Sequence, residues 1–117
     1  MRHKEDDLQL ACVQWFTMQY PKLSRGLHHS PNGGRRNARE AARFKAAGVR
    51  PGFPDLALYL KVARWTGLAV ELKIKPNKVK KGSDQEWWLE WLESQGWKTA
   101  VCYDLTDFMQ VVEEYFI

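Results

Sequence analysis

Apolar residues recur at helical spacing between residues 5 and 19, at Leu8, Ala11, Cys12, Trp15 and Phe16, with Met18 or the polar Gln19 closing the stripe. This spacing predicts a helix, stopped at Tyr20-Pro21. Its acidic start, Glu5-Asp6-Asp7, suits the positive end of a helix dipole. Residues 26–30 form a short strand candidate, closed by the turn signal Pro31-Asn32-Gly33-Gly34. Asn37 to Ala47 reads as a basic helix ended by Gly48. Two alternating segments come next. Over 55–62, Leu56, Leu58, Leu60 and Val62 share one face, with Asp55, Ala57 and Tyr59 on the other. Over 68–74, Leu68, Val70, Leu72 and Ile74 oppose Ala69, Glu71 and Lys73. The connection around Trp65-Thr66-Gly67 makes an antiparallel hairpin the economical pairing. After a lysine-rich loop, Ser83 and Glu86 have the separation of a capping box and open a helix over 84–94. A strand over 98–104 and a helix over 105–115 complete an α/β pattern with a mixed sheet.

At 117 residues the chain is long enough for one domain, residues 1–117, with a core that needs no staples. Six tryptophans are many for this length, and such rings need a core, a partner surface or bases to stack on. Trp15 falls on the first helix's core stripe. On the 84–94 helix, Trp88, Leu89 and Leu92 share an inward face, whereas Trp87 and Trp91, four apart, lie on a second. That second stripe fits either core packing, a subunit interface or a nucleic-acid contact. Cys12 and Cys102 lack CxxC spacing and read as small core residues. Neither a signal peptide nor a membrane-spanning run of about 20 apolar residues is evident, so a cytoplasmic location is expected.

The net charge of +4 comes from 18 basic and 14 acidic residues, and its distribution says more than its size. Arg25, Arg35, Arg36, Arg39, Arg43, Lys45 and Arg50 face a single acid, Glu40, between residues 25 and 50. Lys75, Lys78, Lys80 and Lys81 follow with no acid before Asp84. One such run alone reads as a solvated face. Two that bracket a candidate site suit a polyanion, because phosphates need countercharge. The Asn32-Gly33-Gly34 turn offers main-chain amides to the same phosphates.

The bracketed candidate is Pro54-Asp55 with Glu71-Leu72-Lys73. On a hairpin, cross-strand neighbours bring two carboxylates within reach of one ion, and residues two apart put Lys73 on Glu71's side. A surface Glu–Lys pair beside a turn aspartate has the same spacing. However, Glu71 sits between Val70 and Leu72, where a carboxylate is costly unless a cation relieves it. Hard divalent cations take oxygen ligands, and a hydrolytic water needs a neighbour to orient it. Other schemes fare worse: there is no nucleophile elbow or P-loop, and the adjacent His28 and His29 point to opposite strand faces, as a polar edge.

These residues resemble the PD-(D/E)XK nuclease superfamily, and specifically its VRR-NUC (virus-type replication-repair nuclease) domain in stand-alone phage or bacterial form. The likeness runs through Glu5 with Gln9, Tyr20-Pro21, His28-x-x-x-Asn32-Gly33-Gly34, Lys45-x-x-Gly48, Pro51-Gly52-x-Pro54-Asp55, Glu71-Leu72-Lys73 and Gln85. It implies a restriction-endonuclease-like fold: a central mixed sheet flanked by helices, with an αβββαβ core, an extra basic helix and a C-terminal helix. It further implies a DNA endonuclease using Mg²⁺ or Mn²⁺, held by Asp55, Glu71, the Leu72 backbone carbonyl and, from the first helix, Glu5 (Asp6 and Asp7 being its rivals). Lys73 would orient or deprotonate the attacking water, and Gln85 would assist. The DNA-binding set expected is Arg35, Arg36, Arg39, Arg43, Lys45, Arg50, Lys75, Lys78, Lys80 and Lys81. The implied substrate is branched or Holliday-junction-like DNA, cut by a homodimer. A sequence-specific restriction-type nuclease and a non-catalytic basic DNA-binding module are the alternatives.

Overall fold

A computed structural model describes residues 4–30 and 37–117. The elements run in order as α1 (Lys4–Gln19), β1 (Leu27–His29), α2 (Ala38–Ala46), β2 (Leu56–Leu58), β3 (Leu68–Leu72), α3 (Asp84–Ser94), β4 (Lys98–Cys102) and α4 (Leu105–Tyr115). A single 3-10 turn, Ser24–Gly26, leads into β1. Local chemistry accounts for the helix starts. Asn37, Ser83 and Asp104 each accept a hydrogen bond from the N–H three residues on, which satisfies one of the free donors of a first helical turn.

The four strands pair in the order β1-β2-β3-β4. β1 with β2 and β2 with β3 are antiparallel, while β3 with β4 is parallel, which makes the sheet mixed. The parallel step is possible because α3 supplies the crossover between β3 and β4. Leu56, Leu58, Leu68, Val70, Leu72 and Cys102 build one core with Cys12 and Phe16 of α1 and with Phe108, Val112 and Tyr115 of α4. Thus α1 and α4 cover the face that carries the even-numbered strand residues. α3 packs over the opposite face, where its Glu93 accepts a hydrogen bond from Thr99 of β4. All five β3 residues are consequently buried, Glu71 included. Both thiols lie in the core as anticipated, and burial pushes each up to about 12, which disfavours the thiolate.

The strands are shorter than their alternation suggested. β2 spans three residues in place of 55–62, because β1 offers only Leu27–His29 to pair with it. Beyond Leu58 the chain still runs beside Gly26, whose carbonyl accepts from the Tyr59 N–H. It then leaves the ladder: the Leu60 carbonyl accepts instead from the Tyr115 hydroxyl at 2.6 Å. The hairpin closes through the Val62–Trp65 bridge, with Ala63 at φ 53°. β4 likewise stops at Cys102, since Asp104 is already the cap of α4.

Candidate active site at the end of the hairpin

The β2–β3 register sets Leu56 against Val70. One step further along the same ladder lie Asp55 and Glu71, on the face opposite the main core. Their carboxyl groups are near enough for the Asp55 charge to act on Glu71. Asp55 is held at a second point, because the Leu72 N–H donates to its Oδ2 at 2.7 Å. Lys73 lies on Glu71's side of β3, with Nζ 3.8 Å from Glu71 Oε2. The structure therefore brings Asp55, Glu71 and Lys73 together, as the spacing anticipated.

Burial decides the electrostatics. Glu71 is 4% exposed, and its carboxyl is pushed up to about 8, first by burial and next by the neighbouring Asp55 charge. Lys73 pulls in the opposite direction but does not cancel these effects, and Glu5 adds to them. Asp55 is also raised by burial. The Leu72 hydrogen bond, His29 and Lys73 oppose that rise, while Asp6 reinforces it. A buried Glu71 carboxyl raised to about 8, beside an Asp55 carboxyl that is raised as well, marks a site short of positive charge.

That observation tests whether a divalent ion suits the site. The donors are hard carboxylate oxygens, which fit Mg²⁺ or Mn²⁺ and not a thiophilic metal. Among the described residues, no group of three His, Cys, Asp or Glu side chains is placed to hold an ion by itself. An ion held by Asp55 and Glu71 would need main-chain or water oxygens as well, which is the usual habit of Mg²⁺. The residues fit.

The approach to Asp55 is clamped by α3. Phe53 packs edge-on against Trp88, with ring centroids 4.8 Å apart, and the Trp88 Nε1–H donates to the Pro51 carbonyl at 3.1 Å. Gly52, at φ 80°, lies against the α3 main chain so closely that a Cβ there would sit 2.5 Å from Asp84 Cβ. Only glycine fits that position. Gln85 enters here through its backbone N, which borders Gly52. Among the described residues, its side chain makes no hydrogen bond to either carboxyl.

Two further residues belong to this neighbourhood. Asp6 acts on Asp55 while Glu5 acts on Glu71, so the acidic start of α1 supplies two carboxylates to the site's surroundings and not one. His29, read from sequence as part of a polar edge, lies with Nδ1 3.1 Å from the Asp55 carbonyl oxygen. The strand reading of 26–30 contained the signal, but only the β1–β2 register brings His29 beside the start of β2.

The basic residues sort less tightly. Arg35 and Arg36, together with the Asn32-Gly33-Gly34 turn, lie outside the described residues. Arg39, Arg43 and Lys45 project from α2, which buries no side chain, and Arg50 donates back to the Lys45 carbonyl. Lys75 sits over the Tyr103 ring at 5.6 Å, and Lys78, Lys80 and Lys81 are exposed. On α3, Leu92 is buried and Trp88 half-buried, while Trp87 and Trp91 are exposed, so of the readings open to that stripe core packing is excluded.

Comparison with known proteins agrees with this geometry. The sequence model of the VRR-NUC domain matches residues 2–104. The chain belongs to the VRR-NUC family. A solved structure described as a VRR_NUC domain protein superposes with a TM-score of 0.81 at 29% identity, over 98% of this chain and 89% of that one. No curated protein gives a match. The mixed sheet with flanking helices is accordingly the PD-(D/E)XK-like fold expected of this family, and the chain is a nuclease-type domain. No helix among the described residues is long and apolar enough to cross a membrane.

Proposed function

We propose that this VRR-NUC domain is a divalent-metal-dependent endodeoxyribonuclease acting on branched DNA. The observation that carries the reading is the buried Glu71 carboxyl beside the half-buried Asp55, with Lys73 3.8 Å from Glu71. Asp55, Glu71 and the Leu72 main-chain carbonyl would hold Mg²⁺ or Mn²⁺, with Glu5 approaching from α1. The bound ion would polarise the phosphodiester and favour ionisation of a water beside it. Before it binds, Glu71 keeps its proton at neutral pH, so ion uptake and proton release are linked. Lys73 orients the attacking water and places positive charge where the phosphate oxygens gain negative charge. The Leu72 N–H keeps Asp55 aimed while this occurs. Gln85 assists from the head of α3.

Arg35, Arg36, Arg39, Arg43, Lys45, Arg50, Lys75, Lys78, Lys80 and Lys81 bind the phosphate backbone in this reading. Their contacts follow duplex shape and carry little base information. A homodimer, joined through the exposed Trp87–Trp91 stripe, would match the symmetry of a four-way junction. One observation favours a second reading: α2 is basic and exposed along its length, as a base-reading helix in a major groove would be.

Cleavage of labelled four-way junction, flap, nicked and linear duplex DNA, with Mg²⁺, Mn²⁺ or chelator, decides between them. Metal-dependent cutting of the junction, lost in Asp55→Ala and Lys73→Ala, supports the nuclease. DNA binding without cutting under any metal overturns it in favour of a binding module. Cutting of linear duplex at one sequence transfers support to the restriction-type enzyme.

A further inference from the structure

Asp55 precedes the first ladder residue of β2, so its position depends on what fixes its main chain as well as its carboxyl. The carboxyl is fixed from β3 by the Leu72 N–H. The main-chain carbonyl is fixed from β1, where the Ser30 N–H donates at 3.2 Å and His29 Nδ1 lies at 3.1 Å. A carbonyl oxygen has two lone pairs and only accepts, so both groups bind it as donors, and Nδ1 of His29 must carry a hydrogen. The bond thus uses Nδ1–H, with Nε2 turned away from it. β1 is an edge strand of three residues, and its last residue, His29, pairs with Leu56. The ladder to β2 is only three pairs long, so the side-chain bond from His29 adds a further tie at the residue that begins β2.

We infer that His29 is a positioning residue for the metal site, whose Nδ1–H locks the Asp55 main chain and thereby presents the Asp55 carboxylate for ion binding. The inference rests on Asp55 being an ion ligand, as the nuclease reading holds. Groups of this kind, one step behind the ligands, typically change metal affinity about 10–100-fold when removed.

Asparagine and glutamine separate the two ring nitrogens, because an Asn amide nitrogen overlays Nδ1 and a Gln amide nitrogen overlays Nε2. Mn²⁺ affinity of the wild type, His29→Ala, His29→Asn and His29→Gln is measured by titration calorimetry, beside DNA affinity in chelator and the thermal midpoint. His29→Ala and His29→Gln are expected to weaken Mn²⁺ binding by roughly tenfold, with DNA affinity in chelator within about twofold of wild type. His29→Asn is expected to restore Mn²⁺ binding. Rescue of Mn²⁺ binding by Gln and not Asn overturns the proposal, because the ring then acts on the site through Nε2; weakened DNA binding with Mn²⁺ affinity intact overturns it and makes the ring a substrate contact. An equal fall in thermal midpoint for all three variants without a change in Mn²⁺ affinity overturns it in favour of strand stability. Wild type that binds Mn²⁺ yet cuts no DNA defeats the nuclease reading alone. Absence of Mn²⁺ binding by wild type defeats both.

Discussion

The main-chain N–H of Leu72 donates to Asp55 Oδ2 at 2.7 Å, so the strand that carries Glu71 also aims the carboxylate across from it. Asp55→Asn keeps a side-chain oxygen for this bond, whereas Asp55→Ala leaves a buried donor without a partner. Both remove the same charge, so their difference reports the hydrogen bond together with the packing of the amide. Asp55→Asn is expected to be the more stable by about 1–2 kcal/mol in urea unfolding, while both lose Mn²⁺ binding. Equal stability would mean that water serves Leu72 as well as Asp55 does.

Glu71 gives the site a pH signature. Its carboxyl is raised to about 8 in the fold, against the usual 4.5, so between those values the folded chain holds a proton that the unfolded chain has released. Stability of the metal-free protein therefore falls as pH rises from about 4.5 to about 8, by an amount on the order of a few kcal/mol. Glu71→Gln keeps a neutral side chain at every pH. It is expected to flatten that slope and to unfold at a higher temperature than wild type at pH 8, while abolishing cleavage. Mn²⁺ is expected to stabilise wild type most at the alkaline end, where Glu71's proton no longer competes. Thermal midpoints across pH, with Mn²⁺ and with chelator, check both slopes.

Much of this was legible because the signals are local. Asn37, Ser83 and Asp104 mark helix starts by bonds that span only three residues, and each α-helix appears where spacing and caps put it. Asp55, Glu71 and Lys73 were legible for a related reason: a hairpin fixes both faces and register over a short stretch. Strand ends were not, because they depend on the partner's length. β2 stops where β1 stops, and Leu60 belongs to Tyr115 of a helix 55 residues away. His29 was illegible as a neighbour of Asp55 for the same cause, since a separate element, β1, brings it there, and the choice among Glu5, Asp6 and Asp7 stayed open because α1 is separate too. The lysine and arginine runs reveal charge but not position, which side-chain length and loop path decide.

Gly52 ties the helix α3 to the loop that leads into Asp55. At φ 80° and with Asp84 Cβ 2.5 Å from where its own Cβ would be, it has room for no side chain. Gly52→Ala must move the head of α3 away from the loop, or move the loop away from the sheet. A loss of roughly 2–4 kcal/mol in urea unfolding is expected, from backbone strain together with overpacking. Cleavage should fall further than stability alone requires, because Asp55 lies three residues on. Gly82, also at φ 80° but open on all sides, is the control: alanine there carries the strain without the clash, and activity should persist.

Trp87 and Trp91 stack at 6.0 Å between centroids and 10° between planes, and they remain 54% and 44% exposed. Both lean on Trp88, which is engaged with Pro51 and Phe53, so the pair stands on a rigid base. Rigid aromatics lose little conformational entropy when covered, which is why tryptophan recurs where partners meet. Glu86 and Glu90 on the same helix place acid near the pair, and this discourages stacking against nucleic acid while leaving a protein partner acceptable. Light scattering is expected to give twice the chain mass for wild type and the single chain mass for Trp87→Ala/Trp91→Ala. The variant's fold should be unchanged, since neither ring lies in the core. Junction cleavage should then drop toward one incision per binding event. A wild type that scatters as a monomer would remove the symmetry argument for a four-way junction and leave flaps or nicked duplexes as the better substrates.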